Sequence, residues 1–356
     1  MIRARNVHGR FFRVDMRCWA QACELGLDAA LAYLAFNAGR RGRQPTTLWG
    51  RTALCNHLGL SRSHARLAMQ RLEQAGLVVP AADQKLVRRV VESKAPDHAY
   101  LPQSLVLGAV GERTPLTLLR EAGDELLLRL FVELYQHHEL LDEDGLPLRI
   151  AHQRWEKSVV SRSDSWCVVA FMRTQVQVGT QLTPNDPLLL PHAHERDRPG
   201  HDRREPFLER LTTLSSHLGL LVPVPRLTET DDVDSTIAFS VWPAFWRREE
   251  DGPDVRIGIA AQATAQQLID ASDEASAKVE ALRREGDVVI LPVPAHMVAR
   301  CALWTGFRMR YRPHTKATSA WRRDQEATAT AWELRFAELS RFWSSRAIGA
   351  AAACRI

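Results

Sequence analysis

Basic and amide side chains between residues 61 and 74 have the spacing of one helix face. Ser63, Arg66 and Gln70 follow each other at intervals of three and four residues, which places them on the same side of an α-helix. A guanidinium group can pair bidentately with guanine and a carboxamide with adenine, whereas serine, histidine and leucine make lesser contacts with base edges. This chemistry indicates contact with double-stranded DNA, and the candidate residues are Ser61, Arg62, Ser63, His64, Arg66 and Gln70.

Positive charge is concentrated in the same part of the chain. Residues 1–100 contain 16 Lys and Arg against 7 Asp and Glu, a net of +9, so the remaining residues sum to −4 within the total of +5. Such a patch suits contact with DNA phosphates. The expected phosphate contacts are Arg40, Arg41, Arg43, Lys85, Arg88 and Arg89, and Arg51 is a further candidate for DNA binding. The alternative is that Arg62, Arg66 and Arg71 form only a solvated helix face.

Two helices separated by a tight turn are predicted to position these side chains. Residues 51–58 read as a short helix with Ala53, Leu54 and Leu58 on one side. Gly59 can adopt a left-handed conformation at low cost, and Leu60 is expected to be buried in the turn. Ser61 is a favourable N-cap for the next helix.

The second helix is predicted to bury one stripe and to lead into two strands. Its apolar positions follow the i, i+3, i+4, i+7 pattern and are Ala65, Ala68, Met69 and Leu72. Gly76 is placed to end the helix. Residues 77–79 and 85–91 then read as two short strands joined by a turn.

This order of elements resembles a winged helix-turn-helix. The sequences SRSHAR at 61–66 and LEQAGLV at 72–78 look like the recognition helix and wing entry of bacterial regulators. The stretch from Asp28, with a helix at 29–37 and Trp49 in the following loop, is similar to the helix-turn-helix domain of phage and plasmid replication proteins. The resemblance implies sequence-specific DNA binding that controls replication, maintenance or transcription of a bacterial mobile element.

The rest of the chain predicts a second winged-helix-like unit and a helical end. Residues 206–218 have helical periodicity, Gly219 stops the helix, and strands at 220–222 and 236–241 flank a polar turn. The expected fold class is α+β, mainly helical, with a carboxy-terminal region that is helical apart from one strand at residues 287–291. The predicted domains are 1–110, 111–250 and 251–356.

Aromatic residues alternate with basic ones in the last region. Trp304, Phe307, Tyr311 and Trp321 interleave with Arg308, Arg310, Arg312, Lys316, Arg322 and Arg323. Such a run can grip a phosphate backbone while bases stack on the rings, or it can be a packed core with solvated arginines. The sequence leaves both interpretations open. Residues 291–294 and 310–315 also resemble helix-turn-helix proteins of bacterial mobile elements. This resemblance does not point to any functional residue.

Motifs for catalysis or metal binding are weak or absent in the sequence. His192 and His194 have the spacing of the metal-binding histidines in rolling-circle nucleases, but they stand in a highly charged stretch and no Tyr-x-x-x-Lys motif follows. The chain has no phosphate-binding glycine loop and no nucleophile motif, and its six cysteines form no CxxC pair. We therefore expect no catalysis, no cofactor and no metal.

Composition is that of an ordinary globular protein. With 45% hydrophobic and 25% charged residues, a disordered or fibrous chain is excluded. No apolar run is long enough to span a bilayer, and the first residues lack a signal-peptide pattern. We expect a cytoplasmic protein that binds double-stranded DNA, with no membrane partner and no identified small-molecule ligand. A homodimer is left open, and the alternative functions are a protein-interaction scaffold and a metal-dependent nuclease.

Overall fold

The chain divides into two compact units, called unit 1 and unit 2. The computed structural model describes residues 10–40, 44–81, 84–108, 113–141, 144–179, 182–183, 186–189, 204–243 and 252–353. Unit 1 consists of the described residues within 1–138, 183–222 and 309–318, and unit 2 of those within 139–182, 223–308 and 319–356. The sequence-based ranges 1–110, 111–250 and 251–356 stay a prediction about domains.

Unit 1 combines short helices with two small antiparallel sheets. Its helices are α1 Met16–Glu24, α2 Leu27–Ala38, α3 Arg51–Leu58, α4 Arg62–Gln74, α5 Ser104–Leu107, α6 Pro115–Ala122, α7 Glu125–Gln136 and α8 Arg204–Thr212, and a π-helical turn at Thr213–His217 follows α8. Its strands are β1 Phe11–Asp15, β2 Thr46–Thr47, β3 Val78–Ala81, β4 Gln84–Val90 and β5 His98–Pro102. Strand β1 pairs with β5, and β4 lies between β2 and β3.

Helix α2 is the centre of unit 1. Its sequence, LDAALAYLAFNA, is apolar on nearly every side, and residues 29–38 are all buried. A helix that is apolar all round needs neighbours on all sides. Helices α1, α3, α4 and α6 and strand β1 supply them. The helices that carry the candidate site are therefore anchored on a buried core.

The predicted helix, turn and second helix are confirmed as elements α3 and α4. Gly59 ends α3 in the left-handed region, with φ 65°. Leu60 is buried, and the Ser61 side chain accepts a hydrogen bond from the His64 amide as the N-cap of α4. Gly76 has φ 71° and follows the end of α4, where a side chain would be strained.

The two predicted strands after α4 are also confirmed. Strands β3 and β4 pair antiparallel, with Val78 opposite Val90. Strand β2, which comes before α3, pairs with the other edge of β4 and places Thr47 opposite Arg88. The resulting three-stranded sheet brings the segment before α3 next to the strand that follows α4.

Unit 2 is built on a curled antiparallel sheet. Its strands are β6 Ala151–Arg162, β7 Trp166–Val178, β8 Leu221–Thr228, β9 Ile237–Ser240, β10 Val288–Pro294 and β11 Ala302–Met309, and their order is β10-β7-β6-β11-β8-β9. Its helices are α9 Pro253–Asp270, α10 Asp273–Glu285 and α11 Lys316–Ala353. Trp155, Phe171 and Leu291 from the sheet pack with Ile257 of α9 and Phe336 of α11 in one core.

Two parts of the fold prediction need correction. The fold is mixed α/β with 47% helix and 26% strand, so "mainly helical" overstates the helical share. In the carboxy-terminal region the predicted strand at residues 287–291 is present as β10, but the segment of β11, which was expected to be helical, is a second strand. Strand β11 is buried along its whole length, and a fully buried strand lacks the polar and apolar alternation that would have marked it in the sequence.

The predicted second winged-helix-like unit is not confirmed. Its helix is present as α8, and its two strands are present as β8 and β9, which pair antiparallel. These strands, however, form one end of the six-stranded sheet instead of a separate hairpin. Sequence periodicity finds each strand but does not show which other strands extend its sheet.

A buried ion pair fixes the region around Asp144 in unit 2. The carboxylate accepts hydrogen bonds from Arg308 Nη2 at 2.5 Å, Ser240 Oγ at 2.7 Å and Trp321 Nε1 at 2.6 Å. Arg226 is fully buried and donates to the Asp144 carbonyl at 3.0 Å. Burial acts to raise the pKa of Asp144, but the charges of Arg308 and Arg226 outweigh it and hold that pKa below its ordinary value.

Candidate nucleic-acid interface

The outward face of α4 is exposed as predicted. Arg62, Ser63, Arg66 and Gln70 are exposed, and the opposite stripe of Ala65, Ala68 and Leu72 is buried. The stripe packs towards α2 and α3, which both contact α4. The helix therefore has a firm apolar base and a polar face that is open to solvent.

Met69 departs from the predicted stripe. It is only partly buried and lines an open cleft beside α4, as does Ala53 of α3, which was also expected on an apolar face. The buried stripe of α4 is therefore narrower than the sequence pattern suggests. A side chain at the border of such a stripe meets open space when no element covers that flank of the helix.

The cleft brings together residues from separate elements of unit 1. Its volume is about 790 Å³. The walls come from the segment before α3, from α3 itself, from α4 and from β4. The lining residues are Leu48, Trp49, Gly50, Arg51, Thr52, Ala53, Asn56, His57, Arg66, Met69, Gln70, Glu73, Leu86 and Arg88. Four candidate residues, Arg51, Arg66, Gln70 and Arg88, thus lie at one site.

Charge in the cleft is mainly positive. Arg51, Arg66 and Arg88 contribute three guanidinium groups, against one carboxylate from Glu73. Arg88 Nε donates a hydrogen bond to Glu73 Oε1 at 3.0 Å, and the Arg88 side chain is 19% exposed. Glu73 thereby ties Arg88 of the strand to α4 and restricts its rotamers, while the net charge of the lining stays positive.

Two stacked rings form part of the cleft wall. The Trp49 and His57 rings lie 4.6 Å apart, centre to centre, with 20° between their planes. Trp49 also lies close to Gly39, where a Cβ atom would come within 2.5 Å of two of its ring carbons. Gly39 thus permits the close approach that fixes Trp49, and Trp49 in turn positions the segment that leads into Arg51.

Helix α4 is tied to neighbouring segments near both of its ends. His64 Nδ1 lies 2.8 Å from Asp28 Oδ2 on α2, and Arg71 Nη1 donates to the Leu25 carbonyl at 3.0 Å. Ser61 Oγ and Ser63 Oγ are 2.9 Å apart and hydrogen-bonded to each other. All four polar side chains remain exposed, but His64 and Arg71 also hold α4 in place.

The residues predicted to contact phosphates differ in whether the structure describes them and whether it leaves them exposed. Arg89 is exposed on β4, and the Lys85 side chain and residues Arg41 and Arg43 lie outside the described part of the chain. Arg40 is not available to a phosphate, because its side chain is 4% exposed and its Nη1 donates to Glu92 Oε1 at 2.7 Å. The nearest acidic partner of Arg40 is thus a residue 52 positions away, which no local pattern indicates.

Several cleft residues were not singled out from the sequence. Leu48, Asn56 and Leu86 belong to no motif, and Glu73 belongs to the LEQAGLV segment but was not predicted as a site residue. They become neighbours only because β2 pairs with β4 and α3 packs against α4. No signal in a single sequence marks such residues as one site.

The aromatic and basic run of residues 304–323 is a core. Trp304, Phe307, Tyr311 and Trp321 are 4–6% exposed, so their rings cannot stack on bases. Arg308 lies over the Trp321 ring at 4.9 Å and pairs with Asp144. The aromatic residues of this run are therefore core residues, and the strand-gripping interpretation is wrong for them. The expectation of solvated arginines is wrong for Arg308 and Arg312, which are both 6% exposed.

Metal-binding clusters and membrane-spanning helices are both absent from the described residues. His192 and His194 lie outside the described residues. Among the residues that the structure does describe, no group of three or more His, Cys, Asp or Glu side chains could hold a metal ion. Within the same residues, no helix combines the length and the apolar character needed to cross a membrane.

Comparison with known proteins gave no relatives for this chain. No family model matches it, and searches of curated proteins and of solved structures also found no match.

Proposed function

We propose that unit 1 binds double-stranded DNA through the exposed face of α4 and the adjoining cleft. The observation that carries this proposal is convergence: Arg51 of α3, Arg66 and Gln70 of α4 and Arg88 of β4 line one open, positively charged cleft. Their side-chain types are those that pair with bases and phosphates. In this proposal α3, α4 and the β3–β4 hairpin act as a winged helix-turn-helix.

The dimensions of α4 suit the major groove. It has 13 residues, its apolar stripe faces the core of unit 1, and its opposite face is polar. A major groove admits one α-helix, and the exposed guanidinium and amide groups can then reach base edges. We assign base contacts to Arg66 and Gln70. Arg51, in the first turn of α3, and Arg88, on β4, are assigned to phosphates on either side.

The test starts with selection of bound duplexes from a randomised library, because the target sequence is unknown. Affinities of purified full-length variants for the selected duplex are then measured by fluorescence anisotropy over a range of salt concentrations. Arg66→Ala is expected to weaken binding by about 1–3 kcal/mol and to relax the preference at one base pair. Arg51→Ala is expected to weaken binding to all duplex sequences alike. It should also reduce the slope of log affinity against log salt concentration by about one.

Arg17→Ala is the matched control. Arg17 is exposed in the first turn of α1, in the same unit, and does not line the cleft. The variant removes the same charge, so it should bind the selected duplex about as well as the wild type. Failure to enrich any duplex, or an equal loss for Arg17→Ala and Arg66→Ala, would refute the proposal and favour the protein-interaction alternative.

The biological role rests on the resemblance described above. We propose that DNA binding by this protein controls replication, maintenance or transcription of a bacterial mobile element. Symmetry in the selected sites would bear on its assembly, because a two-fold symmetric dimer binds two half-sites about one helical turn apart.

A further inference from the structure

Two exposed leucines share the cleft with the arginines. Leu86 on β4 is 82% exposed and Leu48, directly after β2, is 53% exposed. Both line the cleft. Because β2 pairs with β4, these leucines belong to the sheet side of the cleft, whereas Arg66 and Gln70 belong to α4. The two exposed leucines of the cleft thus lie on its sheet side together with Arg88, across from Arg66 and Gln70 on the helix.

Single exposed leucines on a protein surface need no explanation, but two at one binding cleft narrow the choice of ligand. A ligand for this cleft has to offer negative charge to Arg51, hydrogen-bonding groups to Gln70 and a small apolar group to the leucines. An A·T base pair in the major groove offers the last two, since adenine presents N6 and N7 and thymine presents its C5-methyl group. The DNA backbone supplies the charge.

We propose that Leu48 and Leu86 determine specificity by contacting thymine methyl groups in the bound duplex. This inference rests on the proposed DNA-binding function and assigns a preference within it. Gln70 pairs with adenine while the leucines cover the methyl group of the same or a neighbouring A·T pair. Burial of the methyl group removes apolar surface of both partners from water, which favours thymine over a base that lacks this methyl.

Deoxyuridine substitution tests this contact directly. Replacing one thymine at a time by deoxyuridine in the selected duplex removes only the methyl group and keeps Watson–Crick pairing. Loss of one buried methyl is expected to weaken wild-type binding by about three- to fivefold at one or two positions. Leu86→Ala or Leu48→Ala should bind thymine and deoxyuridine duplexes equally at the position that each residue contacts.

Leu107→Ala is the matched control. Leu107, on α5 of the same unit, is 50% exposed and does not line the cleft, so this variant should keep the full deoxyuridine penalty. Thermal unfolding of the leucine variants should match that of the wild type, because the substituted side chains are already exposed. If Leu86→Ala changes the melting temperature, Leu86→Met is tested as a second variant. It keeps an apolar contact and should retain the deoxyuridine penalty.

The outcomes separate this inference from the function that it rests on. If no duplex is enriched, the proposed function fails and the inference fails with it. If a duplex is bound but no position responds to deoxyuridine, or if Leu86→Ala and Leu48→Ala keep the full penalty, only the inference is overturned. A selected site without A·T pairs at contacted positions would overturn it as well.

Discussion

Replacing Gly39 by alanine should disturb the wall of the cleft that Trp49 forms. Gly39 follows α2 with φ −78° and ψ −1°, a backbone conformation that alanine adopts without strain. A Cβ atom there would lie 2.5 Å from Thr47 Oγ1 and 2.5 Å from Cγ and Cδ2 of Trp49. The perturbation is therefore one methyl group placed where two side chains already stand.

Whether Gly39→Ala raises or lowers the free energy of unfolding depends on whether Thr47 and Trp49 can move. Trp49 is stacked on His57, and its amide donates to Thr47 Oγ1 at 3.0 Å. Thr47 is itself fixed opposite Arg88 in the sheet. Relief of the clash needs a shift that these contacts oppose, so an overpacking cost of about 1–3 kcal/mol is expected. The entropic gain from Gly→Ala, about 0.4–1 kcal/mol, does not offset the upper part of that range.

Urea unfolding of Gly39→Ala and the wild type, followed by circular dichroism, measures this cost as a lower free energy of unfolding. The cost should shrink in a Trp49→Ala background, because the ring that opposes the new methyl is gone. The same variant should also weaken binding to the selected duplex, since Trp49 positions the segment that leads into Arg51. A Gly39→Ala protein that is more stable than the wild type would refute the argued packing of Trp49 against Gly39.

Three further predictions concern stability. Leu72→Ala removes a fully buried side chain of α4 and should lower the free energy of unfolding by about 2–5 kcal/mol; an unchanged urea midpoint would mean that the helix phase is wrong. Burial acts to raise the pKa of Glu92, but its hydrogen bond and ion pair with Arg40 outweigh it and hold that pKa below its ordinary value. Stability from this carboxylate is therefore present above its ordinary pKa and lost as the pH falls through the lowered value, so urea unfolding across acidic pH should show a shallower loss for Glu92→Gln; equal slopes would contradict this. Asp144→Asn leaves Arg308 buried without its closest carboxylate and should cost about 3–5 kcal/mol in thermal or urea unfolding, and a neutral result would show that the pair is dispensable.

The local elements around the candidate site can be predicted from the amino-acid sequence. Helices α3 and α4, the Ser61 N-cap and the breaks at Gly59 and Gly76 are confirmed. These features depend on interactions within a few residues along the chain, such as i, i+4 periodicity, capping hydrogen bonds and positive φ angles. A local pattern is sufficient to predict them.

Partners that are distant in the sequence determine which arginines are held in ion pairs within the fold. Arg40 belongs to the basic group before α3 by sequence, but it forms a partly buried ion pair with Glu92, which is 52 residues away. Arg308 belongs to an apparently exposed basic run, but Asp144, 164 residues away, holds it inside unit 2. The sequence shows that each arginine is charged, but it does not show which distant carboxylate the folded chain places beside it.

Tertiary structure also decided the composition of the cleft. Leu48 and Leu86 join Arg66 and Gln70 only because strand pairing brings β2 beside β4, and α3 packs against α4. Strand β11 was missed for the same kind of reason, since burial on both faces removes the alternation that marks a strand. Local hydrogen bonding fixes a helix within its own residues, whereas a sheet, an ion pair or a cleft requires partners that only the folded chain brings together.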